Sequence, residues 1–323
     1  MIDPAVADFE RTVERQRIGT LFERLPSSLG SVMVGILLVF VFFLPTTDAD
    51  LIKAWAAFML TTLAVRGWIW YMFRNSAPSP AGARRWEWAY AFGMALTGIW
   101  WSTLNGPLYP AGGQLQGLVM IMTVIVSFAG MIYSSVSHVA FLLFVLPTLS
   151  SAMARYIAVS NASVESIAGV AGCVLVMIMI HRTLNKFAVL LIRRQVESES
   201  LLAEQQAIFQ TTTMGIAVIS SQGIVKCNQR LGQLFGRSLQ DLQTLPLTAL
   251  FANQSEAGDF IQKSAAAFDA GKSMLSIHRM HRSDGSDFWG ELSGRQMQGD
   301  ETGRSVWLIA DVTMRVSRER QAS

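Results

Sequence analysis

The stretch SLGSVMVGILLVFVFFLP, residues 28–45, carries no charged side chain and ends on a proline. A helix needs roughly 20 mostly apolar residues, at about 1.5 Å each, to cross about 30 Å of hydrocarbon. Residues 28–45 with their flanks meet that length. Working outward, similar runs follow at 51–73, 86–105, 114–133, 136–156 and 163–181, separated by short polar turns. Backbone groups inside lipid must satisfy their own hydrogen bonds, so such runs are read as helices. Strands of a membrane barrel would alternate apolar and polar residues, and these do not. The expectation is an all-α bundle of six transmembrane helices over 28–181. The chain has 323 residues, 51% of them apolar, and a mean hydropathy of +0.35, and the apolar excess lies in its first 192 residues.

Basic residues predict the orientation. Arg11, Arg15, Arg17 and Arg24 precede the first run, Arg74, Arg84 and Arg85 follow the second, and Arg182, Lys186, Arg193 and Arg194 follow the sixth. The alternate loops hold only Lys53 and Arg155 at their edges. This predicts a multi-pass membrane protein with both termini cytoplasmic and membrane lipid around it. The charged segment 1–27 does not read as a cleavable signal peptide. The outer loops, 46–50, 106–113 and 157–162, are too short to form a ligand-binding domain. Cys173 and Cys227 lie far apart, which argues against a disulfide framework or a cysteine-based zinc site.

Arg66 is the one charge well inside a run. A buried arginine is a functional candidate, but Arg66 lies near the cytoplasmic end and is expected to snorkel there. His138 reads as interfacial, Glu165 as favoured by the start of its helix, and Arg155 as its possible partner. Pro147 is expected to kink the fifth helix. Ala91, Ala95, Ala168 and Gly172 offer small faces for close helix contact.

Residues 182–208 hold no Pro or Gly and read as a connecting helix. Leu184, Ala188, Leu191, Gln195, Ser198, Leu202, Gln205 and Phe209 follow a 4-3 spacing, which suits a parallel dimer seam. An ordinary amphipathic linker is the alternative. The seam predicts a homodimer, with Leu191 and Leu202 carrying the signal.

The pattern then changes. Residues 214–220 and 224–227 read as a hairpin around Ser221-Gln222-Gly223. Asn228 opens a short helix ending at Gly236, and an amphipathic helix spans 255–271. Strands at 274–282 and 288–297 flank Ser283-Asp284-Gly285-Ser286, and a last strand covers 306–312. Three stretches, GIAVISSQGIVKCNQRLGQLFGRSLQDL (215–242), HRMHRSDGSDFWGELSGRQM (278–297) and VWLIADVT (306–313), occur in an order and spacing that resemble a PAS domain. The resemblance implies an α+β domain over 209–314, with a five-stranded antiparallel sheet and helices on one face enclosing a pocket. It implies that Leu231, Phe235, Ile261, Phe268, Trp289 and Trp307 border that pocket or the core. Asp311 and Thr313 would hand the signal to an output helix starting at 315–323. The membrane half resembles the six-span input modules that precede cyclic-di-GMP synthases and histidine kinases, through Arg84-Arg85-Trp86, Gly98-Ile99-Trp100-Trp101 and Leu146-Pro147.

Flavin and haem are both disfavoured. The reactive-cysteine motif of flavin-binding relatives is missing, helix 255–271 holds no histidine, and His278 and His281 face opposite sides of one strand. No metal site is expected. No catalytic motif is present, so no enzymatic activity is expected from these residues. The reading is therefore a membrane sensor relaying to an output domain that is fused or supplied in trans. The alternatives are the input half of a diguanylate cyclase or histidine kinase, or a transporter, for which paired intramembrane charges or broken helices are missing. No nucleic-acid partner is expected.

Overall fold

The computed structural model describes residues 4–45, 48–76, 82–111, 113–160, 164–297 and 303–322. Parts of the expected outer loops (46–47, 112 and 161–162) lie outside the described residues. The chain forms two units, residues 1–198 and 199–323.

The first unit is helical. In helix α1 (Pro4–Glu23), Ile18, Leu21 and Phe22 are buried at i, i+3 and i+4, Glu10, Arg11, Glu14 and Arg15 lie outside, and the half-buried Arg17 pairs with Glu87 of the bundle at 2.9 Å. Phe22 stacks on Phe73 at 3.9 Å and meets Trp86 and Tyr90 edge-on. The sequence reading had assigned only charge to this segment. Five helices follow: α2 (Leu25–Phe43), α3 (Ala49–Asn75), α4 (Ala83–Ser102), α5 (Gly113–Tyr133) and α6 (His138–Ser160). Helix α7 (Val164–Thr211) is one uninterrupted helix of 48 residues, joining the sixth apolar run to the connecting segment. The Asp48 carboxylate caps α3 by accepting from Asp50 N. Helix α6 continues through Pro147.

Five helical stretches among the described residues are long and apolar enough to cross a membrane, and they contain α2, α3, α5, α6 and α7. Helix α4 falls short because Arg84, Arg85 and Glu87 crowd its start and Thr97 and Ser102 interrupt it. One face of it, Tyr90, Ala91, Gly93, Met94, Thr97, Gly98 and Trp101, is buried against α1, α3 and α6, while Trp88, Phe92 and Ile99 on the other face are exposed. The tight approaches occur at glycines other than the expected Gly172. A Cβ on Gly98 would lie 2.4 Å from the Phe144 carbonyl oxygen, so α4 and α6 touch backbone to backbone. Around Gly172 there is open space.

The second unit is a sheet of order β2-β1-β5-β4-β3, antiparallel throughout. Its strands are β1 (Gly215–Ser220), β2 (Gly223–Cys227), β3 (Met274–His281), β4 (Asp287–Gln296) and β5 (Ser305–Asp311). Between β2 and β3 lie α8 (Gln229–Phe235), α9 (Leu239–Thr244) and α10 (Gln254–Asp269). Helix α8 starts on the Asn228 side chain and ends at Gly236, whose φ of 66° suits a residue without a Cβ. The Ser238 hydroxyl caps α9. The β3–β4 turn closes through Asp284, which accepts from Ser286, with Gly285 at φ 84°. Helix α11 (Thr313–Ala322) follows β5 and lies along β4.

Candidate signal-transfer site

Strand parity decides which side chains face the helices of the second unit. In β4, Phe288, Gly290, Leu292 and Gly294 are buried on the inner face. With Phe251, Phe260, His278 and Trp307 they frame a ring cluster. The Phe260 ring meets Phe251 at 5.2 Å, His278 at 5.4 Å and Trp307 at 4.8 Å, and Phe268 packs on Trp307 at 5.6 Å. Gly294 makes room for Trp307, since a Cβ there would meet the indole at 2.5 Å. The Trp307 indole N–H donates to Ser305 Oγ at 2.9 Å.

Of the residues expected around the pocket, Leu231, Phe235 and Trp307 are buried in this core and Phe268 is half-buried against it. Two expectations are corrected. Ile261 is 43% exposed, because one step around α10 turns it outward while Phe260 turns in. Trp289 lies on the opposite face of β4 from Phe288, where the Arg320 guanidinium covers its ring at 4.8 Å. His278, on the opposite side of β3 from His281, packs edge-on to Phe251 and Phe260, its Nδ1 lies 3.9 Å from Glu256, and its Nε2 is buried without a partner. Burial holds its imidazole below the ordinary value, against the pull of Glu256.

Two polar junctions flank this core. At the entry, the buried Asn228 side chain makes four hydrogen bonds. Its Oδ1 accepts from Ile216 N (2.9 Å) and Leu231 N (3.0 Å), and its Nδ2 donates to Phe209 O (2.9 Å) and Met214 O (3.0 Å). One amide thus ties the last turn of α7 to β1 and α8. Lys226 lies over the Phe209 ring at 5.0 Å. At the exit, Asp311 Oδ1 accepts from Thr313 N (3.0 Å) and Thr313 Oγ1 (2.6 Å), capping α11. Its Oδ2 accepts from Arg282 Nη2 at 2.7 Å. Arg282 also donates to Leu234 O (2.7 Å) and covers the Phe288 ring at 4.3 Å. Thr313 Oγ1 accepts from Trp289 N at 3.0 Å. Partial burial disfavours the Asp311 charge, but the bonds from Thr313 and Arg282 outweigh it and hold the carboxyl below its ordinary value. The sequence reading singled out Asp311 and Thr313. It missed Arg282, whose position beside the Ser-Asp-Gly turn gave no sign of the α8 carbonyl it reaches.

On α7, Leu191 is 69% and Leu202 61% exposed. A different stripe, His181, Asn185, Ile192 and Val196, is buried in the first unit. The seam positions from Leu191 to Gln205 therefore stay open.

Arg66 corrects another expectation. It is 1% exposed and does not snorkel. Its Nη1 donates to Thr97 Oγ1 at 3.2 Å, and its Nη2 to Ser28 Oγ at 2.8 Å and Met94 Sδ at 3.4 Å. Hydroxyls contributed by α2 and α4 hold it inside the bundle. His138 is exposed and meets the buried His181 edge-on at 5.1 Å. The Arg155 guanidinium lies over the Tyr109 ring at 3.9 Å.

Among the described residues no group of three or more His, Cys, Asp or Glu could hold a metal ion. Both cysteines are free, and burial raises the Cys227 thiol above its ordinary value.

The family model described as PAS domain matches residues 213–314, spanning the sheet, α8 to α10 and the start of α11. This segment is a PAS domain. Solved PAS domains align with it. The PAS domain of a LuxR-family transcriptional regulator from Burkholderia thailandensis, in complex with ethanol, is 23% identical over 33% of this chain and 96% of its own, with a TM-score of 0.31. A PAS domain from Colwellia psychrerythraea is 20% identical over 35% and 98%, with a TM-score of 0.33. The PAS domain of an HTR-like protein from Haloarcula marismortui is 17% identical over 37% and 98%, also with a TM-score of 0.33. A comparison with curated proteins gives no match. The PAS domain is thus bracketed by two helices, α7 and α11, each joined to it by a side-chain network.

Proposed function

We propose that this chain is a bacterial inner-membrane sensory protein. It relays the state of its helical bundle, or of a ligand, through α7 and the PAS domain to an output that is fused or supplied in trans. The observation that carries the reading is the continuity of α7, one helix from the apolar bundle to the Asn228 junction. Six spans, with α4 counted through its exposed apolar face of Trp88, Phe92 and Ile99, keep both termini cytoplasmic and agree with the distribution of basic residues. The open seam through Leu191 and Leu202 supports a homodimer. Asp311 and Thr313, held by Arg282, pass the PAS state to α11.

We assign neither flavin nor haem to this PAS domain: Phe251, Phe260, Phe268 and Trp307 pack ring to ring beside the sheet, and His278 meets Phe251 and Phe260 edge-on. We assign no catalytic role and no nucleic-acid partner to these residues. An input half of a diguanylate cyclase or histidine kinase is the second reading, supported by α11 leading out of the Asp311 junction.

Tagging the chromosomal N-terminus and blotting fractionated cells tests the proposal. A membrane band near 35.5 kDa directs the search to a partner protein. A larger membrane band directs it to a fused output and to cyclase and kinase assays. Recovery in the soluble fraction overturns the reading.

A further inference from the structure

Helix α7 leaves a track of grooves along one side. The first, of about 800 Å³, lies between α7 and the α5–α6 pair and is walled by Phe128, Met153, Tyr156, Cys173 and Val176 among others. Val176 and Ile180 also line a second groove of about 370 Å³, which reaches Leu184. Leu184 borders a third, of about 420 Å³, shared by Phe187 and Leu191 with Thr20, Arg24 and Ser135. The track is apolar for most of its length and carries a cation at its last part.

That cation is Arg24. Its Nη1 donates to Ser135 Oγ at 2.6 Å and to Ile132 O at 3.4 Å. Its Nε and Nη2 remain accessible and have no acceptor among the described residues. No acid among the described residues pairs with it. Its polar neighbours in the groove are engaged: Thr20 Oγ1 donates to Gln16 O at 3.0 Å, Ser135 Oγ accepts from Arg24 itself, and Gln195 has a partner elsewhere. At this level of α7, Arg182, Lys186 and Arg194 are exposed, while Arg193 is held by Glu10 at 2.8 Å.

We propose that this track binds one anionic phospholipid, with its phosphate on Arg24 and an acyl chain running along α7 toward Cys173. Inside a bilayer a groove of this size cannot stand empty, and water finds too few polar partners to fill it. From Leu184 to Cys173 the helix rises eleven residues, roughly 16 Å at about 1.5 Å each. That is close to half of the about 30 Å of hydrocarbon, the length of one leaflet's chain. An acyl chain gains little by leaving the surrounding lipid, so the choice among lipids falls to charge. The unpaired guanidinium and its basic neighbours favour an anionic headgroup at the cytoplasmic face. The inference rests on the membrane placement of the bundle and gives the relayed ligand a chemical class.

The test titrates the full chain in detergent with phosphatidylglycerol, or with phosphatidylcholine of the same chains, and counts retained lipids by native mass spectrometry. One phosphatidylglycerol should be held with several-fold preference. Arg24→Gln should remove the preference, and Arg194→Gln, outside the groove, should keep it. Equal retention of the two lipids, or equal loss in both variants, overturns the proposal. Should Arg24→Gln fail to fold, Phe187→Glu changes an exposed position and sets a negative charge beside the headgroup. It should abolish the preference, and an unmoved preference counts against the site. Glycerol phosphate, which lacks chains, should not displace the lipid; displacement would mean a soluble phosphate site. Phosphatidylglycerol with a mid-chain diazirine should cross-link to Met179 and Ile180 rather than to Leu37 and Phe58, which are exposed on α2 and α3. Even labelling, or a two-chain mass that carries no lipid, overturns the proposal, the latter because a second copy then fills the track. A chain that fractionates as soluble defeats the membrane reading itself. A membrane-bound chain indifferent to phosphatidylglycerol defeats the lipid site alone.

Discussion

Asn228 shows how much one side chain decides in this protein. Asp at this position would keep the acceptor that caps α8, so a capping argument predicts little change. The structure predicts otherwise, because Nδ2 donates to two carbonyls, Phe209 O and Met214 O. A second carboxylate oxygen facing those carbonyls leaves buried acceptors unpaired, and Asn228→Asp should lose about 2–4 kcal/mol of PAS-domain stability. Denaturant unfolding of the full chain in detergent checks this. His278 sets a pH dependence. In the unfolded chain it takes up a proton near the ordinary 6.5, whereas the folded domain resists protonation to a lower pH. Between those values the unfolded state binds more protons, so stability falls as pH drops below 6.5. His278→Phe should flatten that fall relative to the unaltered protein, as read by unfolding temperature across pH. The sequence displayed Asn228 as a cap and His278 as a strand residue. It could not show their partners, which are brought in by α7 and α10. Arg66 was misread for the same reason: position along a helix gives the distance to its end, not what Ser28 and Thr97 cover.

At the scale of elements the sequence was more legible. Both hairpins emerged close to their observed bounds because Ser-Gln-Gly and Ser-Asp-Gly mark their turns. Errors arose where two large apolar residues are adjacent. Phe260-Ile261 on a helix and Phe288-Trp289 on a strand each offer two candidates for one inward position. Periodicity alone does not choose; the pairing of β4 with β3 and β5, and the packing of α10, do. Helix α7 carries two stripes with different fates. Cysteines at Leu191 and Leu202 should cross-link readily between copies in membranes, and cysteines at Ile192 and Val196, buried in their own unit, should not. Equal cross-linking at all four positions would remove the dimer seam.

For the molecule as a whole, the number of spans fixes where its ends lie. Six spans put both ends on one side, and five put them on opposite sides. Fluorescent-protein fusions at the N-terminus and after Ala322 should both fluoresce, and an alkaline phosphatase fusion at Asp48 should be active. A dark fusion at one end would mean that α4 does not cross. The sequence suggested α4 as a span, but its charges keep it below the apolar standard that the other five meet. The backbone contact between Gly98 of α4 and Phe144 of α6 bears on how such a bundle can respond. Where helices meet through side chains, rotamer changes let them slide past one another. Here that cushion is missing, so α4 and α6 form a keel that shifts only as one piece. Deformation is left to the helices around it, and α7, which meets the bundle along the single stripe of His181, Asn185, Ile192 and Val196, has a narrow seat on which to shift.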